Sequence, residues 1–138
     1  MRNYLIVIVA VVVLSGCGGG SGRDRVVLSG TVSYQGEPVE TGSIRFVPIS
    51  GTKGPASGAV IQDGTYETKA RGGVPVGSHR VEIKATRLTG EPKPPELQGL
   101  DLMPEPMEQY LPDKYNAKSE LTVTVEPDGD PTHNFDLE

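Results

Sequence analysis

The chain has no tryptophan, two phenylalanines, two histidines and one cysteine. A lone cysteine cannot close a disulfide within the chain, and in an exported protein it reads as a free thiol or an intermolecular link. The apolar core must therefore offset by itself a backbone ordering cost of ~1 to 2 kcal/mol per residue. Histidine, the residue best suited to general-base work near neutral pH, is present only as His79 and His133. Two distant histidines and one thiol are not a zinc ligand set. No serine stands in a Gly-x-Ser-x-Gly elbow. Basic charge is short as well: 13 Lys and Arg face 18 Asp and Glu, for a net charge of -5. No basic stripe is present to displace counterions, so nucleic acid is excluded as a partner.

The first residues follow the three zones of an export signal. Arg2 is the only charge, an unbroken apolar run extends from Leu5 to Leu14, and the small residues Ser15 and Gly16 follow. The run is too short to span a bilayer, which takes ~20 apolar residues. Leu14-Ser15-Gly16-Cys17 resembles the bacterial lipobox. That resemblance implies cleavage between Gly16 and Cys17 and a diacylglyceryl thioether on Cys17, which makes residues 1–16 a removed signal peptide. Loss of Arg2 leaves the remaining chain one charge more negative. Several acyl chains on one residue hold firmly, at ~0.8 kcal/mol per buried methylene, so Cys17 needs no second anchor. Residues 17–25 then serve as tether, with Gly18 to Gly22 reading GGGSG, a flexible spacer. The expected location is the cell envelope, on a membrane outside the cytoplasm. Gly18 stands where some lipoproteins carry the inner-membrane retention aspartate, so the resemblance points to the outer membrane.

From Val26 the pattern has a period of two. Val26, Leu28, Gly30, Val32 and Tyr34 alternate with Ser29, Thr31 and Ser33, as a half-buried strand requires. Gln35 to Pro38 supplies a turn, with Gly36 free to take positive φ. Ser43 to Ile49 reads as the next strand, with Pro48 at an edge or a strand end. Ser57 to Gln62 and Thr65 to Ala70 flank Asp63-Gly64, a strong hairpin signal. Ser78 to Thr86 sets His79, Val81, Ile83 and Ala85 against Arg80, Glu82 and Lys84. Leu121 to Val125 gives a sixth strand, and Phe135 with Leu137 a seventh. Seven short strands without a helix-period segment predict an all-β, Greek-key β-sandwich over residues 26–138. Residues 87–110 interrupt the rhythm with Pro92, Pro94, Pro95, Pro104 and Pro106. The reading there is a solvated insertion, with a binding loop as the alternative.

Gly30-Thr31-Val32, Gly36-Glu37-Pro38-Val39, Ile44-Arg45-Phe46, Asp63-Gly64-Thr65-Tyr66 and Val76 to Val81 occur in an order that resembles the carboxypeptidase-regulatory-like, transthyretin-related β-sandwich. Leu111 to Asn116, followed by Ser119 to Val123, is similar to a version common in bacterial lipoproteins. The resemblance implies fold and little activity. A transthyretin-related hydrolase branch ends in Tyr-Arg-Gly-Ser, whereas this chain ends Phe135-Asp136-Leu137-Glu138.

No catalytic, metal or cofactor site is expected. Asp128-Gly129-Asp130 offers oxygen ligands of the calcium type, but turn chemistry accounts for it better. Tyr66 and Tyr115 are expected to bury their rings and bond the backbone through their hydroxyls. The first functional expectation is a non-enzymatic envelope structural or interaction module, offering a strand edge or residues 87–110 to a protein partner. The second is a periplasmic small-molecule or carbohydrate binder, which would require a concave pocket lined by Tyr34, Tyr66 or Tyr110.

Overall fold

The structure, a computed structural model, describes residues 24–92, 94–99 and 104–138. The expected signal peptide, the Gly16–Cys17 cleavage and lipidation point and most of the tether lie outside the described residues. The rest is all-β. Its strands in chain order are β1 (Arg25–Val26), β2 (Ser29–Tyr34), β3 (Glu37–Pro38), β4 (Thr41–Pro48), β5 (Ser57–Gln62), β6 (Thr65–Glu67), β7 (Val74–Pro75), β8 (Gly77–Leu88), β9 (Met107–Gln109), β10 (Thr122–Val125) and β11 (Phe135–Leu137). The main sheet runs β10-β8-β4-β5-β6-β2-β11, with β3 added to β2 and β9 to β8, while β1 and β7 form a separate ribbon. Pairing is antiparallel except between β11 and β2. One pair, Gln62↔Thr65, joins β5 to β6. At that corner the ladder curls into two facing layers, as a sandwich needs.

The alternation places the core where it is expected. Val32, Ile44, Phe46, Ile61, Val81 and Ile83 are each 1% exposed or less. Fully burying each such side chain contributes about 1.5 to 3 kcal/mol. The aromatic rings of Phe46, Tyr66 and Phe135 cross between the layers at centroid spacings of 6.1 and 6.3 Å. Two tight turns fix the register. Gln35 and Gly36 have φ of 52° and 81°, and Asp63 and Gly64 have 50° and 75°. Positive φ at both central residues is the I′ turn, whose twist matches that of the strands it joins.

Three segments differ from the sequence reading. The strand expected over Val26 to Tyr34 breaks at Val27–Leu28, where the chain changes partner from β7 to β6. The Thr68 hydroxyl accepts the Leu28 N–H at 2.8 Å, and the Leu28 carbonyl accepts the Thr68 N–H at 2.8 Å. This exchange satisfies the break and also stops the strand expected to reach Ala70 at Glu67. The third difference lies in residues 87–110, whose two ends form a ladder: β8 continues to Leu88 and pairs with β9. All three β9 residues are exposed, so neither period nor apolarity marks the strand. Main-chain pairing makes it, with the Arg87–Glu108 ion pair across the ladder.

The last strand is held by two tyrosines. Tyr66 donates its hydroxyl to the His133 carbonyl at 2.8 Å. The Tyr115 hydroxyl donates to the Glu138 carbonyl and accepts the Glu138 N–H at 2.8 Å. Gly30 permits the close approach, because a Cβ there would stand 1.9 Å from the His133 carbonyl oxygen. Gly30→Ala should therefore lower stability by about 1 to 3 kcal/mol through overpacking. Tyr66→Phe should cost about 1 to 3 kcal/mol by leaving a carbonyl unpaired. Urea unfolding curves for both variants check this, and unchanged midpoints would mean that β11 is not docked as described.

Candidate binding groove

The groove begins with a length mismatch. β4 pairs with β8 only as far as Gly42↔Ala85, and β8 then continues through Thr86, Arg87 and Leu88. Those residues pair with β9, and Arg87 Nε meets Glu108 Oε1 across the ladder at 2.7 Å. Directly after β9, the Tyr110 N–H donates to the Ala85 carbonyl at 3.1 Å. The Gln109 amide locks this return: Nε2 donates to the Leu111 carbonyl at 2.7 Å, and Oε1 accepts the Leu111 N–H at 2.8 Å. Leu111 itself is buried in the core. Tyr110 is thus fixed from both sides.

Tyr34 arrives from the other layer as the last residue of β2, one step before the Gln35–Gly36 turn. Its ring centroid lies 6.0 Å from that of Tyr110 at 51°, and 6.5 Å from that of Tyr115 at 74°. Offset and tilted geometries at these spacings are favourable for aromatic pairs. Beside the packed Tyr34–Tyr110 pair lies an open groove of about 720 Å³, lined by both rings and by Gln35, Glu37, Pro38, Glu40, Thr86 and Arg87. Its size falls within the range of small-ligand clefts.

The electrostatics are uneven. The Arg87 guanidinium sits over the Tyr110 ring, 5.0 Å from the centroid, and is also paired with Glu108. Glu37 and Glu40 form no ion pair among the described residues. Burial pushes the Tyr110 phenol above its ordinary range, Arg87 pulls it down, and Glu40 and Glu37 push it up again. Both carboxylates therefore act on the phenol.

Of the tyrosines singled out in the sequence for a pocket, the fold brings Tyr34 and Tyr110 together. Tyr66 is 4% exposed in the core, where desolvation drives its phenol well above the usual range. Its hydroxyl serves the backbone, as does that of Tyr115. His79 is fully buried on β8; its Nδ1–H donates to the Gly77 carbonyl at 3.1 Å, and Nε2 has no partner among the described residues. His133 is half-buried on the approach to β11, with its N–H bonded to the Ser29 carbonyl at 2.9 Å. Neither histidine lines the groove. In the Asp128–Asp130 turn, Asp130 Oδ1 accepts the Thr132 N–H at 2.8 Å, which is ordinary turn chemistry. Among the described residues no three His, Cys, Asp or Glu side chains are placed to hold a metal ion. Cys17 and Gly16 fall outside the described residues.

Sequence reasoning missed Glu37, Glu40, Arg87 and Gln109. Alternation past Thr86 could have carried the strand on to Leu88, but nothing local marks Gln109 as a clamp. Compared with family models, curated proteins and solved structures, the chain finds no match.

His79 generates a pH prediction. Desolvation lowers its pKa in the fold, with the Gly77 carbonyl opposing. A depressed base is protonated more readily in the unfolded chain. Its contribution is therefore complete above the unfolded value of about 6.5 and is lost as pH falls from there towards the folded pKa. The urea midpoint of the wild type should fall through this window more steeply than that of His79→Leu. Parallel pH profiles would show that His79 does not resist protonation in the fold.

Proposed function

We propose that this chain is a lipid-anchored, non-enzymatic protein of the cell envelope that works by binding a small molecule or carbohydrate in the Tyr34–Tyr110 groove. The observation that carries this is the groove itself. It combines two half-buried aromatic rings at the margin of the core with polar side chains from both layers of the sandwich. Aromatic platforms edged by a few convergent polar groups are how small polar ligands are oriented. Binding without turnover is favoured by the placement of the histidines, since His79 turns into the core and His133 lies off the groove. A general base must reach the proton it takes, and neither does so here.

The anchor in this reading rests on the Leu14 to Cys17 lipobox resemblance. The carboxypeptidase-regulatory-like, transthyretin-related kinship, with its Greek-key connectivity, is the family reading that accompanies the sandwich. Outer-membrane residence follows from Gly18 on the same grounds.

A second reading, an envelope interaction module, is favoured by β10. Val81 donates to the Leu121 carbonyl at 2.8 Å, which puts the hydrogen-bonded pairs of that ladder at Leu121, Val123 and Val125. Thr122 and Thr124 then direct their main-chain groups away from β8, along an uncharged edge strand without proline. Such an edge can add a partner's strand.

Intact mass and detergent partitioning of the expressed protein, beside a Cys17→Ala variant, test the anchor. The wild type should carry acyl mass and enter the detergent phase while the variant does neither. Two soluble, unacylated proteins would sink the lipoprotein reading.

A further inference from the structure

We propose that the Tyr34–Tyr110 groove selects an organic cation, a small ligand bearing an ammonium or guanidinium group. This rests on the reading of the groove as a binding site and names the chemistry it prefers. The protein already seats one such group there, since the Arg87 guanidinium lies 5.0 Å from the Tyr110 centroid. An aromatic face attracts a cation through its quadrupole, and more strongly when water is partly excluded. The Tyr34 ring packs against Tyr110 and edge-on to Tyr115 and lines the same groove, and no cation–aromatic contact involves it among the described residues.

Charge points the same way. The positive charge of Arg87 is matched by Glu108 at 2.7 Å. Glu37 and Glu40 are left without a counter-ion among the described residues, on the wall beside both rings. Both are exposed on that wall, and their fields reach the Tyr110 phenol. An anionic ligand would meet two carboxylates and a neutralised guanidinium. A neutral sugar would find hydrogen-bonding partners in Gln35 and Thr86 but would gain nothing from the excess negative charge. A cation is the ligand for which rings and carboxylates act together.

The geometry also supplies rigidity. Glu37 is paired in the Tyr34↔Glu37 ladder, and Glu40 is tied by its carbonyl to the Asp63 N–H at 2.9 Å. Tyr110 is held by the Ala85 carbonyl, so the backbone of the groove is already ordered and binding has only the exposed glutamate side chains to order.

Calorimetric titration of the full chain in non-ionic detergent tests this, with spermidine, agmatine and the neutral disaccharide cellobiose as probes. Spermidine and agmatine should bind, more weakly as salt is raised. The double variant Glu37→Gln/Glu40→Gln, at two exposed positions, should weaken them roughly five- to tenfold. Tyr34→Leu should cost about two- to fivefold. Because the whole chain is acidic, Asp128→Asn/Asp130→Asn serves as a remote control and should leave the affinity unchanged. Equal weakening by the remote pair would overturn the site by showing adventitious attraction. Cellobiose binding that survives the glutamate changes, without amine binding, would overturn the cation preference while keeping the groove as a binding site. No binding of any probe would overturn the cation preference and remove the chief support for the groove.

Discussion

The ladder between β4 and β8 is the interaction on which the rest of the molecule depends. Six consecutive pairs from Val47↔Arg80 to Gly42↔Ala85 set Ile44 beside Ile83 and Phe46 beside Val81, and those four side chains are the middle of the core. Gly42 lets the two strands approach, since a Cβ there would meet the Lys84 carbonyl oxygen at 2.2 Å. β8 has twelve residues and outlasts β4 at one end. Unpaired main-chain groups beyond Ala85 need partners, and β9 supplies them. The groove is a by-product of that requirement, because the strand that completes the overhang carries Tyr110 into place behind it.

The tyrosines divide between holding the last strand and lining the groove. Tyr66 and Tyr115 spend their hydroxyls on the backbone around β11, which pairs in parallel with β2 and so lacks a short hairpin to hold it. Tyr34 belongs to the same strand β2, and its backbone neighbour Gln35 donates its N–H to the Leu137 carbonyl at 2.8 Å. Capture of β11 therefore also steadies one wall of the groove. The other wall depends on the Gln109 clamp and on buried Leu111. The segment Leu111 to Asn116 has a structural explanation of its own: the Asn116 amide donates to the Pro112 carbonyl at 3.1 Å, closing a turn that delivers Tyr115 to the core.

Several features were legible in the residues because they are local. The Asp63-Gly64 hairpin and the Gly36 turn follow from the few residues that tolerate positive φ. The inward set His79, Val81, Ile83 and Ala85 follows from strand pleating, and all four are buried. The expected structural role of Tyr66 and Tyr115 follows from the mismatch between an apolar ring and a polar hydroxyl. β9 was not legible, since its pairing is satisfied by another strand's main chain and leaves no pattern in Met107, Glu108 or Gln109. The break at Leu28 was hidden for a similar reason: the competing partner, the Thr68 hydroxyl, lies forty residues away.

The sequence by itself determined the class of fold, the two tight turns, the inward face of each long strand and the scarcity of catalytic side chains. These depend on neighbours within a few residues, where backbone sterics and a period of two decide the outcome. Which tyrosines would be buried in the core and which left half-buried along the groove was decided only by tertiary structure. Tyr34, Tyr66, Tyr110 and Tyr115 are chemically equivalent side chains, and their fates diverge because β8 is longer than β4 and because β11 docks beside β2. Both are long-range main-chain pairings, whose energy belongs to two distant segments at once and is written in neither alone.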